Sequence, residues 1–315
     1  MSERVQELER LVRYHQDRYY NDQAEISDAE FDALWDELLR LDPENAVFRE
    51  VGSDAAEGFA KRKHIIPMGS QEKAADPDAF RKWVAKIRAP RYVVQYKLDG
   101  ASIELQYESG RFVAGVTRGD GRIGDDITRN VWRMRGVVPE VGGGFTGAVR
   151  GEVMMEHQVH EQHYSDKANC RNAANGVMKR KDGVGSDLLR VMTYDALHSE
   201  RGDFFESEVH KLDWLRSCGF DVVEFRVFED AQQIIEYREE VAARRGDLDF
   251  DIDGLVVKSP EIDREDMQRA RPEKQIAFKF ALEQAVTQVR SVEWSTAGNI
   301  YTPVAIVEAV RIAGT

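Results

Sequence analysis

Cysteine, long apolar runs and net positive charge are all scarce in this chain, and each scarcity excludes something. The two cysteines, Cys170 and Cys218, show neither CxxC spacing nor a disulfide framework. They read as reduced structural thiols of a cytoplasmic protein. No segment is long and apolar enough to cross a bilayer. Met1-Ser2-Glu3-Arg4 leads straight into an amphipathic pattern without a signal-peptide core. Internal repeats and low-complexity tracts are absent. Lysine and arginine number 44 against 57 acidic residues, a formal charge of −13. Neutralising phosphates supplies most non-specific affinity for DNA, so a strong solitary nucleic-acid binder is disfavoured. A basic cleft inside an acidic exterior remains open.

With 315 residues, of which 42% are apolar, the chain has room for two domains, or for one large and one small. Val5, Leu8, Leu11, Val12 and Tyr19 recur at helical spacing. Ser27-Asp28-Ala29-Glu30 predicts a capping box that opens a helix through Phe31, Leu34, Trp35, Leu38 and Leu41, with Pro43 beyond its end. From Tyr92 the texture turns to strands: Ala101 to Tyr107, Phe112 to Thr117, Ala148 to Met155, Leu189 to Leu197, and around Leu255 and Phe278. Helices are expected at Glu206 to Ser217 and Ala231 to Arg245. Together these predict an α+β core with a largely antiparallel sheet. Val286 to Glu293 and Tyr301 to Arg311 predict strands of a small barrel that does not close by Thr315, the pattern of a fragment.

Three lysines occupy strand-like runs: Lys97 in Tyr96-Lys97-Leu98-Asp99-Gly100, Lys258 at the end of Asp253-Gly254-Leu255-Val256-Val257-Lys258, and Lys279 in Ala277-Phe278-Lys279-Phe280. An ammonium buried without a partner is costly, so such lysines are expected to aim at a polar cleft. Three on one cleft would bind phosphate and would ease proton loss from one of them. Two other patterns are set aside. Gly119-Asp120-Gly121-Arg122-Ile123-Gly124 fits GxGxxG, but Asp120, Asp125 and Asp126 would repel a pyrophosphate and no βαβ pattern surrounds it. His160-Glu161-Gln162-His163 is one residue short of HExxH, so His157, His160 and His163 read as a solvated helical face.

The ordered lysine set resembles the nucleotidyltransferase superfamily of DNA ligases, RNA ligases and mRNA capping enzymes. More closely it is similar to bacterial NAD-dependent DNA ligases. Thr117-Arg118-Gly119-Asp120-Gly121, Val149-Arg150-Gly151-Glu152, Arg171-Asn172-Ala173-Ala174 and Tyr301-Thr302-Pro303-Val304-Ala305 carry the likeness along the chain. Ile26-Ser27-Asp28-Ala29-Glu30-Phe31-Asp32 resembles the helical cap of the NAD-dependent branch. The resemblance implies an α+β nucleotidyltransferase (ATP-grasp-like ligase) core of antiparallel sheets with helices. It also implies a division into a cap that reads nicotinamide mononucleotide (1–52), an adenylation domain (53–287) and the start of a truncated OB-fold (288–315).

The implied activity is attack by Lys97 on NAD, giving lysyl-AMP and nicotinamide mononucleotide, the first step in sealing nicked DNA. Lys258 and Lys279 would be the cations that favour a neutral Lys97 and balance phosphate charge. Asp99 would orient Lys97 or act through water or metal. Glu152 would hold ribose hydroxyls, Tyr194 would stack on adenine, Ser70 and Gln95 would approach the base, and Arg118 and Arg171 would contact phosphate or ribose. Tyr19 (or Tyr20), Asp28, Phe31 and Asp32 would hold the departing nucleotide, with His15 a further candidate. Magnesium is the expected metal. The expected partners are NAD and, for the full-length enzyme, nicked duplex DNA, with weak or no DNA binding by this fragment and no membrane.

Gln95 stands where glutamate is usual in the family, Phe31 where tyrosine is frequent, and Lys274 where tryptophan is common; Trp294 to Gly298 lacks an expected arginine. Two alternatives are an ATP- or GTP-using ligase or capping enzyme, and a non-catalytic nucleotide-binding domain.

Overall fold

The computed structural model describes residues 3–20, 26, 34, 37, 38, 40–42, 45, 47, 59–269, 271–281, 286–297 and 300–310. Asp28, Phe31 and Asp32, and with them the expected capping box, lie outside the described residues. The first helix, Glu3–Tyr20, follows the predicted rhythm. Val5, Leu8 and Val12 are buried against Leu34, Leu38 and Val47 in a small core of their own. Tyr19 and Tyr20 end this helix, but their side chains also lie outside the described residues. His15 packs edge-on against Tyr14, ring centroids 5.0 Å apart.

Thirteen strands follow among the described residues: β1 (Lys61–Lys63), β2 (Glu72–Ala74), β3 (Tyr92–Leu98), β4 (Ala101–Glu108), β5 (Arg111–Thr117), β6 (Ile123–Asp125), β7 (Gly147–Met154), β8 (Arg190–His198), β9 (Phe225–Phe228), β10 (Ile252–Lys258), β11 (Gln275–Lys279), β12 (Val289–Ala297) and β13 (Ile300–Val307). β1 pairs with β6 and β12 with β13, and of the two larger sheets among the described residues one runs β2-β11-β10-β3-β9 and the other β5-β4-β7-β8. Every pairing in them is antiparallel except β2 with β11. The protein is therefore α+β with antiparallel sheets.

Each sheet buries one apolar face. Beneath the five-stranded sheet, helices Pro77–Ile87 and Ala231–Arg244 supply Phe80, Trp83, Ile234 and Val241. Phe80 stacks on Phe278 at 4.4 Å, an aromatic contact that ties helix to strand. Against the four-stranded sheet, helices Cys170–Met178 and Glu208–Ser217 bury Ala173, Val177, Leu212 and Leu215. Asn169 caps the first of these helices by accepting from the Asn172 N–H at 2.8 Å, which fixes where Arg171 begins.

Met1–Phe280 and Ala281–Thr315 are separate compact units. The second holds the β12–β13 hairpin, which starts later than the pattern of Val286 predicts. Gly119-Asp120-Gly121 forms a turn between β5 and β6, where Asp120 Oδ1 accepts the N–H groups of Arg122 and Ile123 at 2.8 and 2.7 Å. A loop closed on its own carboxylate opens no helix toward a phosphate.

Candidate active site

The Lys97-to-Gly100 segment is where the chain leaves one sheet for the other. β3 ends at Leu98, and β4 begins at Ala101 in the second sheet. Gly100 turns so close to β7 that a Cβ there would lie 2.6 Å from the Val153 carbonyl oxygen. Lys97 is thereby set on the five-stranded sheet at its junction with the four-stranded one.

Register explains which lysines meet. Gly254 lies opposite Lys97 on one side and Lys279 on the other. Directly paired residues share a face, so the two lysines flank a bare glycine. Ile252 pairs with Leu98 but Gly254 pairs with Lys97, so Asp253 and Gly254 together oppose one residue. This bulge swings Asp253 onto the lysine face. Its carboxylate takes Lys97 Nζ at 2.7 and 2.9 Å and Lys279 Nζ at 3.5 Å. Burial works to raise the Asp253 carboxyl, but the two ammonium groups prevail and hold it below the usual carboxylate range.

Lys258 departs from expectation. It shares the face of Gly254 but pairs with Val93, four residues along β3 from Lys97. That is about 13 Å of strand. Its ammonium is bound to Glu208 Oε2 and the Tyr194 carbonyl, both at 3.3 Å. Glu208 and Asp195 also take the fully buried Lys211 at 2.6 and 2.5 Å, and Arg150 stands 3.7 Å from Asp195. The expected trio of ammonium groups is instead a pair on Asp253 and a third lysine in a buried charge network.

Asp99, Arg171, Glu152, Arg118, Ser70, Tyr194 and Gln95 gather around the same junction. Asp99 Oδ1 accepts Arg171 Nη1 at 2.8 Å. Glu152 pairs with Ser102 across β4 and β7 and accepts its hydroxyl at 2.7 Å. Burial pushes the Glu152 carboxyl up to about 7, against that hydrogen bond and the positive charges of Arg171, Lys97 and Arg118. Arg118 Nε donates to the Met68 carbonyl at 3.1 Å and Nη2 to Ser70 Oγ at 3.4 Å, so Ser70 and Arg118 meet. Tyr194 is half-buried, and burial raises its phenol. Gln95 is 1% exposed and its Nε2 donates to the Tyr194 carbonyl at 3.1 Å.

Several partners escape the sequence reading. Strand alternation alone puts Asp253 on the wrong face, and only the bulge corrects it. Glu104 is fully buried and accepts the N–H groups of Ile65 and Ile66 at 2.9 and 3.1 Å, anchoring the loop that carries Ser70. Nothing local in the sequence marks it.

A lysine displayed beside a second lysine and a shared carboxylate, between two antiparallel sheets, has the layout of a covalent nucleotidyltransferase. The family model for the NAD-dependent DNA ligase adenylation domain matches residues 56–283, and that for the DNA ligase-like, N-terminal NAD+-binding domain matches residues 1–53. The chain belongs to the NAD-dependent DNA ligase family. It is 54% identical to the DNA ligase of Treponema denticola, over 99% of this chain and 51% of that one. For the DNA ligase of Treponema pallidum the identity is 48%, over 99% and 40%. For that of Sorangium cellulosum it is 35%, over 99% and 50%. The chain thus spans about half the length of the curated relatives it matches.

Proposed function

We propose that this chain carries out the self-adenylylation step of NAD-dependent DNA ligation. The Lys97 amine attacks the α-phosphorus of NAD; an N–P bond forms, the pyrophosphate P–O bond breaks, and nicotinamide mononucleotide leaves. Holding the AMP on the protein divides one hard displacement into two. The observation that carries this reading is the Lys97–Asp253–Lys279 contact on one sheet face. Asp253 is in hydrogen-bond reach to accept the amine's proton. Lys279 supplies charge to the phosphate oxygens as they enter.

Around that centre, Glu152 takes the ribose hydroxyls, Tyr194 the adenine face, Ser70 and Gln95 the base edge, and Arg118 and Arg171 the phosphate or ribose. Magnesium favours hard oxygen donors and readily shares them with phosphates, and Asp99 and Glu152 offer such oxygens in this cleft. Lys258 acts after a rearrangement that frees it from Glu208. Residues 1–52, with Tyr19, Asp28, Phe31 and Asp32, form the cap that selects NAD; residues 53–287 adenylylate; residues 288–315 begin an OB-fold. Nicked duplex DNA is the substrate of the complete enzyme. With its charge of −13, this chain alone binds DNA weakly and seals few nicks.

Intact mass after incubation with NAD and divalent metal tests the reading. One AMP is expected per chain with NAD and none with ATP. An adduct persisting in Lys97→Ala would overturn it, as would labelling by ATP alone. Asp28→Ala and Asp32→Ala should slow labelling by NAD.

A further inference from the structure

A second cluster of reactive side chains adjoins the Asp99–Arg171 pair, outside every role given above. His157, Cys170 and Asp251 come from three separate segments: the starts of helices His157–His163 and Cys170–Met178, and the approach to β10. Their candidate ligand atoms all lie within 4.8 Å of one another. His157 Nε2 is 2.9 Å from Asp251 Oδ1. We propose that these three residues form a binding site for a divalent cation of the zinc class.

The donor set decides the class. Imidazole nitrogen, thiolate sulfur and carboxylate oxygen together suit zinc, whereas magnesium and calcium take oxygen alone. Ligands about 2.0–2.3 Å from a tetrahedral zinc stand about 3.3–3.8 Å from each other, so closing the cluster takes small side-chain shifts. Thiolate and carboxylate offset the two positive charges of the ion.

Access and backbone support fit as well. Cys170 is 6% exposed, whereas the side chains of His157 and Asp251 are 37% and 41% exposed. A cation therefore reaches the buried sulfur from one open side, leaving a fourth position for water. The His157 N–H is held by the Asp249 carbonyl at 2.9 Å, and the Asp251 carbonyl accepts the Asp99 N–H at 3.0 Å. In the metal-free protein, burial first and then Asp251 push the Cys170 thiol up to about 12. A bound cation reverses the field at the sulfur and displaces that proton.

The test is a titration of the metal-free chain with Co²⁺. We expect a thiolate-to-cobalt charge-transfer band that saturates stoichiometrically and is bleached by Zn²⁺. Cys170→Ser should abolish the band, whereas Cys218→Ser should keep it. His157→Ala and Asp251→Asn should each weaken Zn²⁺ binding at least about 10-fold, the lower end of what losing even an outer-shell partner costs. His157 is exposed enough for its variant to fold if Cys170→Ser does not. Absence of the band overturns the proposal, as does its persistence in Cys170→Ser or unweakened binding in both other variants. No step uses NAD, so the result stands apart from the adenylylation reading.

Discussion

Lys97 and Asp253 form a two-pronged contact, with Nζ 2.7 Å from one carboxylate oxygen and 2.9 Å from the other. The hydrogen-bond partner of the Lys97 ammonium is thus a potential proton acceptor. The second cation, Lys279, stands 3.5 Å from the same carboxylate. This gives the amine a direct route for its proton, which a cluster of ammonium groups alone does not supply.

Replacing Asp253 with asparagine should therefore slow formation of the AMP adduct by about 10²–10⁴-fold, the usual contribution of a positioned acid–base group. Time-resolved intact mass with NAD measures it. An unchanged rate would remove Asp253 from the chemistry.

Gly254→Ala tests the spacing of the lysine row. A Cβ there would sit 2.6 Å from the Phe278 carbonyl oxygen and 2.7 Å from Lys279 Cα, so β11 has to move. Overpacking of this kind costs about 1–3 kcal/mol. Denaturant unfolding should show that loss together with slower adenylylation. A variant as stable and as fast as the parent would contradict the close approach of the two strands.

Glu152 makes stability depend on pH. Its folded value of about 7 lies above the ordinary 4.5, so between those values the folded protein keeps a proton that the unfolded chain has released. Stability should fall as pH rises through that window and level off above it. Glu152→Gln, which cannot ionise, should flatten that part of the profile in denaturant unfolding. The same slope in both proteins would assign it elsewhere.

The buried network around Lys258 is open to a stability test. Lys211 is fully buried between Asp195 and Glu208. Lys211→Met leaves those carboxylates short of one cation. Removing one partner of a buried ion pair costs about 3–5 kcal/mol, and a urea titration should show a lower midpoint by that measure. A double variant with Glu208→Gln should recover part of the loss. No recovery would mean that Lys211 contributes through packing alone.

Much of the chemistry was legible in the chain itself. Periodicity of two and of 3.6 located the long strands and the helices Glu3–Tyr20, Glu208–Ser217 and Ala231–Arg244, because each buries one face and its apolar residues must repeat with its geometry. The short strands β1, β2, β6 and β9 and the helices Pro77–Ile87 and Cys170–Met178 carried too weak a pattern. The sequence also carried the lysines, the carboxylates and their order. Which of them meet was decided only in three dimensions. Lys97, Gly254 and Lys279 are brought into a row by cross-strand register, a relation between distant segments that no local pattern encodes. Asp253 joins them because one bulge breaks the alternation that would have turned it away. Lys258, alike in its strand setting, lies four residues along and finds Glu208 instead. Composition and spacing thus determined what the cleft is made of. Pairing between strands, which places side chains by register and not by sequence distance, decided who touches whom.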